Sequence, residues 1–297
     1  MEQLFNSISS YLKKELGEKT IKLAIDGGFT CPNRDGTKGT GGCIFCSSDG
    51  SGDFASNIES QIKLLSSKWP KAKYLAYFQN HTNTYAPVEV LRNKFYDALN
   101  NPKISGIVIA TRPDCLNDDV LDLLKEINDN HFMWVELGLQ TIHEKTSTLI
   151  NRCYPLEVYD SAIEKLSSRG IKTVTHLILG LPGETRDDMF ESVRYVVNSG
   201  TWGLKLHLLN VVKGSQMEKL YPQYKSFDSI DEYVNLVCDL LEIIPKEIVI
   251  HRLTADAPRS ILISPEWSFK KRTILNGINS ELRRRKTYQG IKKESDL

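Results

Sequence analysis

The sequence predicts an α/β protein: a partial (β/α)6 barrel of the TIM type with a C-terminal extension. Three observations predict it. Short β-rich runs alternate with amphipathic helical stretches six times over, and that order joins parallel strands through crossover helices. Two runs, Ile107-Val108-Ile109-Ala110 and Leu177-Ile178-Leu179, are apolar on both faces, as strands are inside a parallel sheet covered by helices. No linker rich in Pro, Gly or Ser divides the 297 residues. One barrel of about 250 residues plus ends fits that length better than two domains of about 150.

Taken in order, residues 1–20 form a leading helix and Ile21–Ile25 the first strand. A loop over 26–54 follows. Helix Ile58–Lys68 then precedes strand Lys73–Phe78, and Val88–Leu99 precedes Gly106–Ala110. In the helix Asp118–Asn128, Val120, Leu121, Leu124 and Ile127 recur at three- and four-residue spacing, which makes one apolar stripe. Strand Met133–Leu139 comes next. Leu156–Ser168 leads to Thr173–Leu179, and Asp187–Asn198 leads to Leu204–Val211. Ser229–Ile243 precedes Glu247–Arg252, a candidate seventh strand. Residues 21–252 are thus the barrel and 253–297 a basic extension. Chemistry in such folds gathers at the C-terminal ends of strands. Those ends read Asp26 onwards, Gln79-Asn80-His81-Thr82, Thr111-Arg112-Pro113-Asp114, Gln140, Gly180-Leu181-Pro182-Gly183-Glu184, and Asn210.

Apolar residues make up 40% of the chain and charged residues 25%, so a packed core forms and disorder throughout is excluded. No run approaches 18 apolar residues, so no membrane span is expected. Met1–Asn6 lacks the basic start and apolar run of a signal peptide. A cytoplasmic protein with reduced cysteines follows, rather than a disulfide framework. The net charge of +1 excludes a polycation, but it hides an asymmetry. Residues 264–297 hold nine Lys/Arg against four acids, a balance of +5, and the remainder is mildly acidic. A basic tail on an acidic body suggests a polyanionic partner; a solvated charged helix is the plainer alternative.

The cysteines carry the strongest signal. Cys31, Cys43 and Cys46 stand at the spacing C-x11-C-x2-C, just after the first strand. The two residues between Cys43 and Cys46 make a tight turn. Gly36, Gly39, Gly41 and Gly42 let the loop fold back and bring Cys31 in. Three thiolates suit an iron–sulfur cluster with one iron left unligated by protein. Structural zinc wants a fourth ligand; His81 could supply it, but it follows a different strand. Cys115, Cys153 and Cys238 are scattered and read as small buried apolar residues.

With these residues in hand, the chain resembles the radical S-adenosylmethionine enzymes over nearly its whole length. The usual family spacing is C-x3-C-x2-C, and eleven residues fill the first gap here. That longer gap is similar to the YtqA/YhcC branch. So are Tyr77-Phe78-Gln79, Thr82-Asn83-Thr84-Tyr85, Thr111–Asp114, Glu136-Leu-Gly-Leu-Gln140-Thr, His176-Leu-Ile-Leu-Gly180-Leu-Pro-Gly-Glu184, Lys205-Leu-His207 and Pro265-Glu-Trp267. The Elongator catalytic subunit and oxygen-independent coproporphyrinogen oxidase look like more distant relatives. The resemblance implies a [4Fe–4S] cluster on Cys31, Cys43 and Cys46, with S-adenosyl-L-methionine on the fourth iron. One electron from the cluster then breaks the sulfonium carbon–sulfur bond, and the 5′-deoxyadenosyl radical abstracts a substrate hydrogen. By the same resemblance Phe45 lies near the adenine. Gln79, Asn80 and Thr82 stand at the methionine-amine contact, where the family's Gly-Gly-Glu is absent. Gln140 and Arg152, twelve apart, hold ribose and carboxylate, and His176 occupies a position that is acidic in some relatives. Plainer readings stand beside these: a strand-end cap for Gln140, an ion pair for Arg152, a turn into a helix for Gly180–Glu184, a core histidine for His207. No residue is singled out as catalytic.

The branch resemblance further implies tRNA wobble-uridine maturation, from 5-carboxymethylaminomethyl-(2-thio)uridine to the 5-aminomethyl form. The implied partners are tRNA, a reductant such as flavodoxin or ferredoxin, and a downstream tRNA methyltransferase. The basic tail agrees, since phosphate contacts supply most sequence-independent affinity. The segment from Trp267 to Lys293 is expected at the barrel mouth, with Trp267 and Tyr288 available for stacking. Two alternatives remain: radical oxidation or rearrangement of a small molecule, and a zinc-bearing RNA-binding module.

Overall fold

The β-rich runs of the sequence are short and apolar, each ends in a polar break, and each enters one parallel sheet. A computed structural model describes residues 3–47, 50 and 54–294. Residues 48–49 and 51–53 of the expected cluster loop, residues 1–2 and residues 295–297 lie outside the described residues. The first half runs α1 (Ile8–Leu16), β1 (Thr20–Ile25), α2 (Ile58–Ser66), β2 (Lys73–Phe78), α3 (Val88–Leu99), β3 (Ile104–Thr111), α4 (Asp118–Asn130) and β4 (Met133–Gln140). Then come α5 (Glu144–Leu149), α6 (Leu156–Ser167), β5 (Thr173–Leu179), α7 (Arg186–Asn198), β6 (Gly203–Leu208), β7 (Val211–Val212) and α8 (Gln216–Leu220). The chain closes with α9 (Ile230–Ile243), β8 (Val249–Arg252), β9 (Leu262–Ser264), α10 (Lys271–Arg285) and α11 (Ile291–Glu294).

The main sheet has the order β1-β2-β3-β4-β5-β6-β8, and every neighbouring pair is parallel. The expected six strands are therefore joined by a seventh, because the run Glu247–Arg252 enters the sheet as β8. Its far edge is short and covered: the Ile250 N–H donates to the Asn6 carbonyl at 2.7 Å, so little edge is left to template wrong pairing. The expected sixth strand, Leu204–Val211, stops earlier, at Leu208. Beyond Asn210, Val211–Val212 turn away and pair antiparallel with β9.

Side-chain alternation then builds two faces. Residues such as Ile107, Ile109, Leu177, Leu179, Leu204 and Leu206 point outward and form one core with the helices. The concave face is layered. At its base Leu75, Val108, Trp134 and Val174 pack with Leu12 of α1. This helix touches both edge strands, β1 and β8, and plugs the N-terminal end of the barrel. It can stop there because Gly17 takes a φ of 75°, a left-handed cap open to glycine. Two residues further along the strands, the concave face turns polar, at Tyr77, Glu136 and His176.

The extension departs from the expectation of a tail at the mouth. Ile274, Ile278 and Leu282 are fully buried, and α10 packs on α9. Near its start, Lys271 pairs with Asp256 at 2.9 Å. Beyond its end, the Gln289 amide donates to the carbonyls of Pro245 and Ile248 at 2.7 and 2.9 Å, just before β8 begins. Fifteen helical residues span about 22 Å, so the cluster Arg283–Lys286 lies toward the N-terminal end of the barrel, opposite the mouth. Arg285 binds Glu281, Asp239 and Asn235, and Arg284 forks onto Glu281. Acids of α9 and α10 thus answer much of the tail's charge. Trp267 also packs inward, 6.1 Å from the Tyr233 ring.

Candidate active site

The loop after β1 folds back on its own backbone. The Cys31 carbonyl accepts from Arg34 N–H at 2.8 Å, Pro32 from Lys38 at 2.8 Å, and Asn33 from Gly42 at 2.7 Å. Gly39 permits this closure: a β-carbon there would lie 2.2 Å from Asn33 Oδ1 and 2.9 Å from Cys153 Sγ. The Cys46 N–H donates to the Cys43 carbonyl at 3.0 Å, which makes the expected tight turn. Two outside segments hold the loop in place. Ile44 N–H donates to Ile150, Met217 N–H donates to Ile44, and Asn151 Nδ2 donates to the Gly42 carbonyl at 2.8 Å.

The three sulfurs share one locality. The Cys43 thiol is pushed well up, first by its hydrogen bond with Cys46, then by burial, with Cys31 adding to it and Arg112 opposing. Protons crowded in this way leave when a metal centre takes their place. Three thiols leave one position of a metal centre without a protein ligand, which suits an iron–sulfur cluster with an open iron better than a closed structural zinc site. Arg112, beside Cys43, is forked onto Asp114 by two bonds of 2.9 Å. Burial opposes its charge, and Asp114 outweighs that.

A single cavity opens from this loop into the barrel. Cys31, Cys43, Cys46, Phe45, Gln79, Thr82, Gln140, Arg152 and His176 all line it. Asn80 is buried and does not line it, and its Oδ1 has no hydrogen-bond partner among the described residues. Thr82 Oγ1 and Asn210 Oδ1 are buried without a hydrogen-bond partner among the described residues, which fits a polar ligand such as the amino acid end of S-adenosylmethionine. Gln140 sits at a bulge with φ of 68°. Its amide, oriented by its bonds, donates to the carbonyls of Gly138 and Leu139. Arg152 is fully buried. It donates to the carbonyls of Leu139, Thr141 and Tyr154 and to Glu144, so most of its fork fixes the strand-end bulge. Cys238 is buried as expected, but Cys115 and Cys153 are only half-buried.

His176 belongs to a network at the barrel floor that the sequence reading leaves out. Glu136, with no exposed surface, is its centre. Oε1 accepts from Trp134 Nε1 at 3.1 Å and Lys22 Nζ at 3.3 Å. Oε2 accepts from Tyr77 at 2.7 Å, from His176 Nε2 at 2.9 Å and from Lys205 Nζ. Burial would raise the Glu136 pKa, but Lys205, Lys22 and His176 together hold it well below the usual carboxylate range. His176 is lowered to about 4 by burial and then by Lys205, so it is neutral. The signal for this layer is present in the sequence. Lys205 and His207 alternate with Leu204, Leu206 and Leu208, and polar residues at every second position of a buried strand mark an inward polar face.

Comparison with known proteins agrees with the geometry. A sequence profile of the Radical SAM superfamily matches residues 34–196, and one of the Radical_SAM C-terminal domain matches 201–284. The chain is 48% identical to the YtqA protein of Bacillus subtilis, over 97% of this chain and 92% of that one. It is 40% identical to the YhcC protein of Escherichia coli, over 90% and 88%. A weaker similarity, 24% over 53% of this chain and 29% of the other, joins it to the tRNA uridine(34) acetyltransferase of Methanocaldococcus jannaschii. Among solved structures, Elp3 of Methanocaldococcus infernus superposes with a TM-score of 0.64 at 16% identity, over 77% of this chain and 58% of that one, which is a likeness of fold. No helix among the described residues is long and apolar enough to cross a membrane.

Proposed function

The chain belongs to the radical S-adenosylmethionine superfamily, and on that premise we propose that it matures tRNA wobble uridines, converting 5-carboxymethylaminomethyl-(2-thio)uridine to the 5-aminomethyl form. It is a radical S-adenosylmethionine enzyme whose family cofactors are a [4Fe–4S] cluster and S-adenosylmethionine, so the zinc-bearing binding module is set aside. When bound, that pair supplies a carbon radical able to take hydrogen from an unactivated C–H group. In this reading Cys31, Cys43 and Cys46 hold the cluster. Phe45, Gln79, Thr82 and Gln140 hold the cofactor across the mouth, Arg112 steadies the thiolates' charge, and Arg152 fixes the bulge that places Gln140.

The observation that carries the reading is that the cysteine loop and the polar floor of Glu136 and His176 line the same cavity. A uridine bearing a zwitterionic arm needs polar partners at that depth, because burying charge unpaired is costly. The tRNA assignment is supported by the relative named for acting on tRNA uridine 34. A wobble base is already in a single-stranded loop, so its entry costs little unstacking. The remaining partners in this reading are flavodoxin or ferredoxin as reductant and a methyltransferase that follows. Mass spectrometry of tRNA nucleosides from cells lacking the gene tests it. The carboxymethylaminomethyl form should accumulate and the aminomethyl form disappear; an unchanged nucleoside profile overturns the reading.

A further inference from the structure

The barrel floor holds more basic than acidic side chains. Glu136 is the buried carboxylate, and two lysines, Lys22 and Lys205, already bind it, with burial lowering the pKa of both. A third basic side chain, Arg252, faces the same cavity. Its side chain is only 22% exposed, yet among the described residues its one ion contact is Asp256, at the same cavity, 3.6 Å away and beyond hydrogen-bond distance. Asp256 is itself 42% exposed and is drawn outward by Lys271 at 2.9 Å. Among the described residues no hydrogen bond from the Arg252 fork is formed. A β-bulge places it there: Arg252 pairs with Lys205 after a register shift, and its neighbour His251 packs on Trp134 at 5.4 Å. Beside it, His207 Nε2 is buried without a partner, and its ring lies 5.0 Å from His176.

An unfilled guanidinium fork and an orphaned imidazole nitrogen lining one cavity share one chemical need. The geometry points to a carboxylate-binding subsite on the barrel floor, made by Arg252 and His207 with His176 beside them, that seats the acid group of the substrate. A carboxylate offers two in-plane acceptors to a guanidinium fork and a further lone pair to an imidazole N–H. It also restores neutrality to a region where a lone cation is expensive. Burial, then His176, Arg252 and Lys205, keep His207 neutral, so it meets the anion as a hydrogen-bond donor and adds no charge. The subsite stands on these groups alone. Assigning its occupant to the N-carboxymethyl arm of the nucleoside rests on the reading proposed above. On that reading the arm's carboxylate anchors at depth and its CH2 is held toward the cysteine loop.

The test uses the holoprotein with S-adenosylmethionine and N-methylglycine as the probe, followed by calorimetry, with methylamine and inorganic phosphate as comparisons. N-methylglycine should bind, methylamine should not, and phosphate should compete poorly. Arg252→Gln, at an unchanged melting temperature, should weaken binding about 10- to 100-fold, the worth of charge-assisted bonds to one group. Arg252→Lys, which keeps the charge and loses the fork, should weaken it less, and it decides the matter if Arg252→Gln fails to fold. Equal affinity in wild type and variants, no binding to wild type, or preference for phosphate overturns the subsite. The two readings fail separately. If the variants lose N-methylglycine while gene deletion leaves tRNA nucleosides unchanged, the tRNA reading falls and the subsite stands. If deletion accumulates the precursor and Arg252→Gln restores the product fully, the subsite falls and the tRNA reading stands.

Discussion

Glu136→Gln is the sharpest test of the floor network. The substitution keeps shape and one acceptor oxygen but removes the charge that faces Lys22, Lys205 and His176. Lys205 is 2% exposed and cannot reach water. Removing one partner of a buried ion pair costs about 3–5 kcal/mol, because the other charge is left unpaired. Near the melting point that is a drop of roughly 6–20 °C for a chain of this size. Thermal unfolding and urea titration at pH 7.5 measure it. The second arm is Lys205→Met in the Glu136→Gln background. It removes the orphaned ammonium and should recover part of the loss, so the two effects should be non-additive by about 1–3 kcal/mol. A cost below about 1 kcal/mol for Glu136→Gln, or a double variant less stable than the single, would refute a network held by buried charge.

Three other outcomes follow. Cys31→Ala, Cys43→Ala and Cys46→Ala should each abolish iron and sulfide binding and activity, while Cys238→Ala, buried on α9, does neither; analysis of iron and sulfide content decides. His176 titrates near 4 when folded and near 6.5 when unfolded. Between those values the unfolded chain binds more protons, so stability falls as pH drops through that window, by on the order of 3 kcal/mol for this group; His176→Gln should flatten that slope in pH-dependent urea titrations. Arg285→Ala should lower the melting temperature by removing the half-buried guanidinium that joins Asp239 on α9 to Glu281 on α10, while the exposed Arg284→Ala changes it little. Neither should alter the salt dependence of tRNA binding, which filter binding at several salt concentrations checks.

The barrel is legible because parallel strands buried on both faces leave a local mark. Ile107–Ala110 is apolar throughout, and no other element type fits four such residues between turn signals. β8 is harder, since only Ile248, Val249 and Ile250 are apolar before His251 and Arg252. Its place depends on pairing with β6, which a local pattern cannot contain. The early end of β6 hides for the opposite reason. Leu208, Leu209, Val211 and Val212 form a nearly continuous apolar run, yet the last two serve a different sheet, and Leu209 and Val211 a small apolar cluster with Ile44 and Met217. Charge counting misplaces the tail because Arg285 is answered by Asp239 of α9, 46 residues away in sequence, as well as by its neighbour Glu281.

The cysteine loop and the floor differ in the same way, and the difference follows from what each must do. A cluster needs three ligands within one short span, so spacing along the chain records it. The floor needs ionised groups held apart from water, and a strand can offer only every second residue to the interior. Lys22, Glu136, Lys205 and Arg252 therefore come from four strands, each looking like a lone charge in an apolar run. Their meaning appears once the sheet sets β4 and β6 on either side of β5, with Glu136 and Lys205 on one concave face. The arrangement is also economical in space: α1 and the Trp134 layer seal the bottom, so the field of the floor cations has one direction in which to act. That direction is the cavity shared with the cysteine loop. On the proposed reading, Cys31, Cys43 and Cys46 would hold the cluster at that mouth, and a substrate anchored by its acid group at Arg252 would present the carbon next to that group.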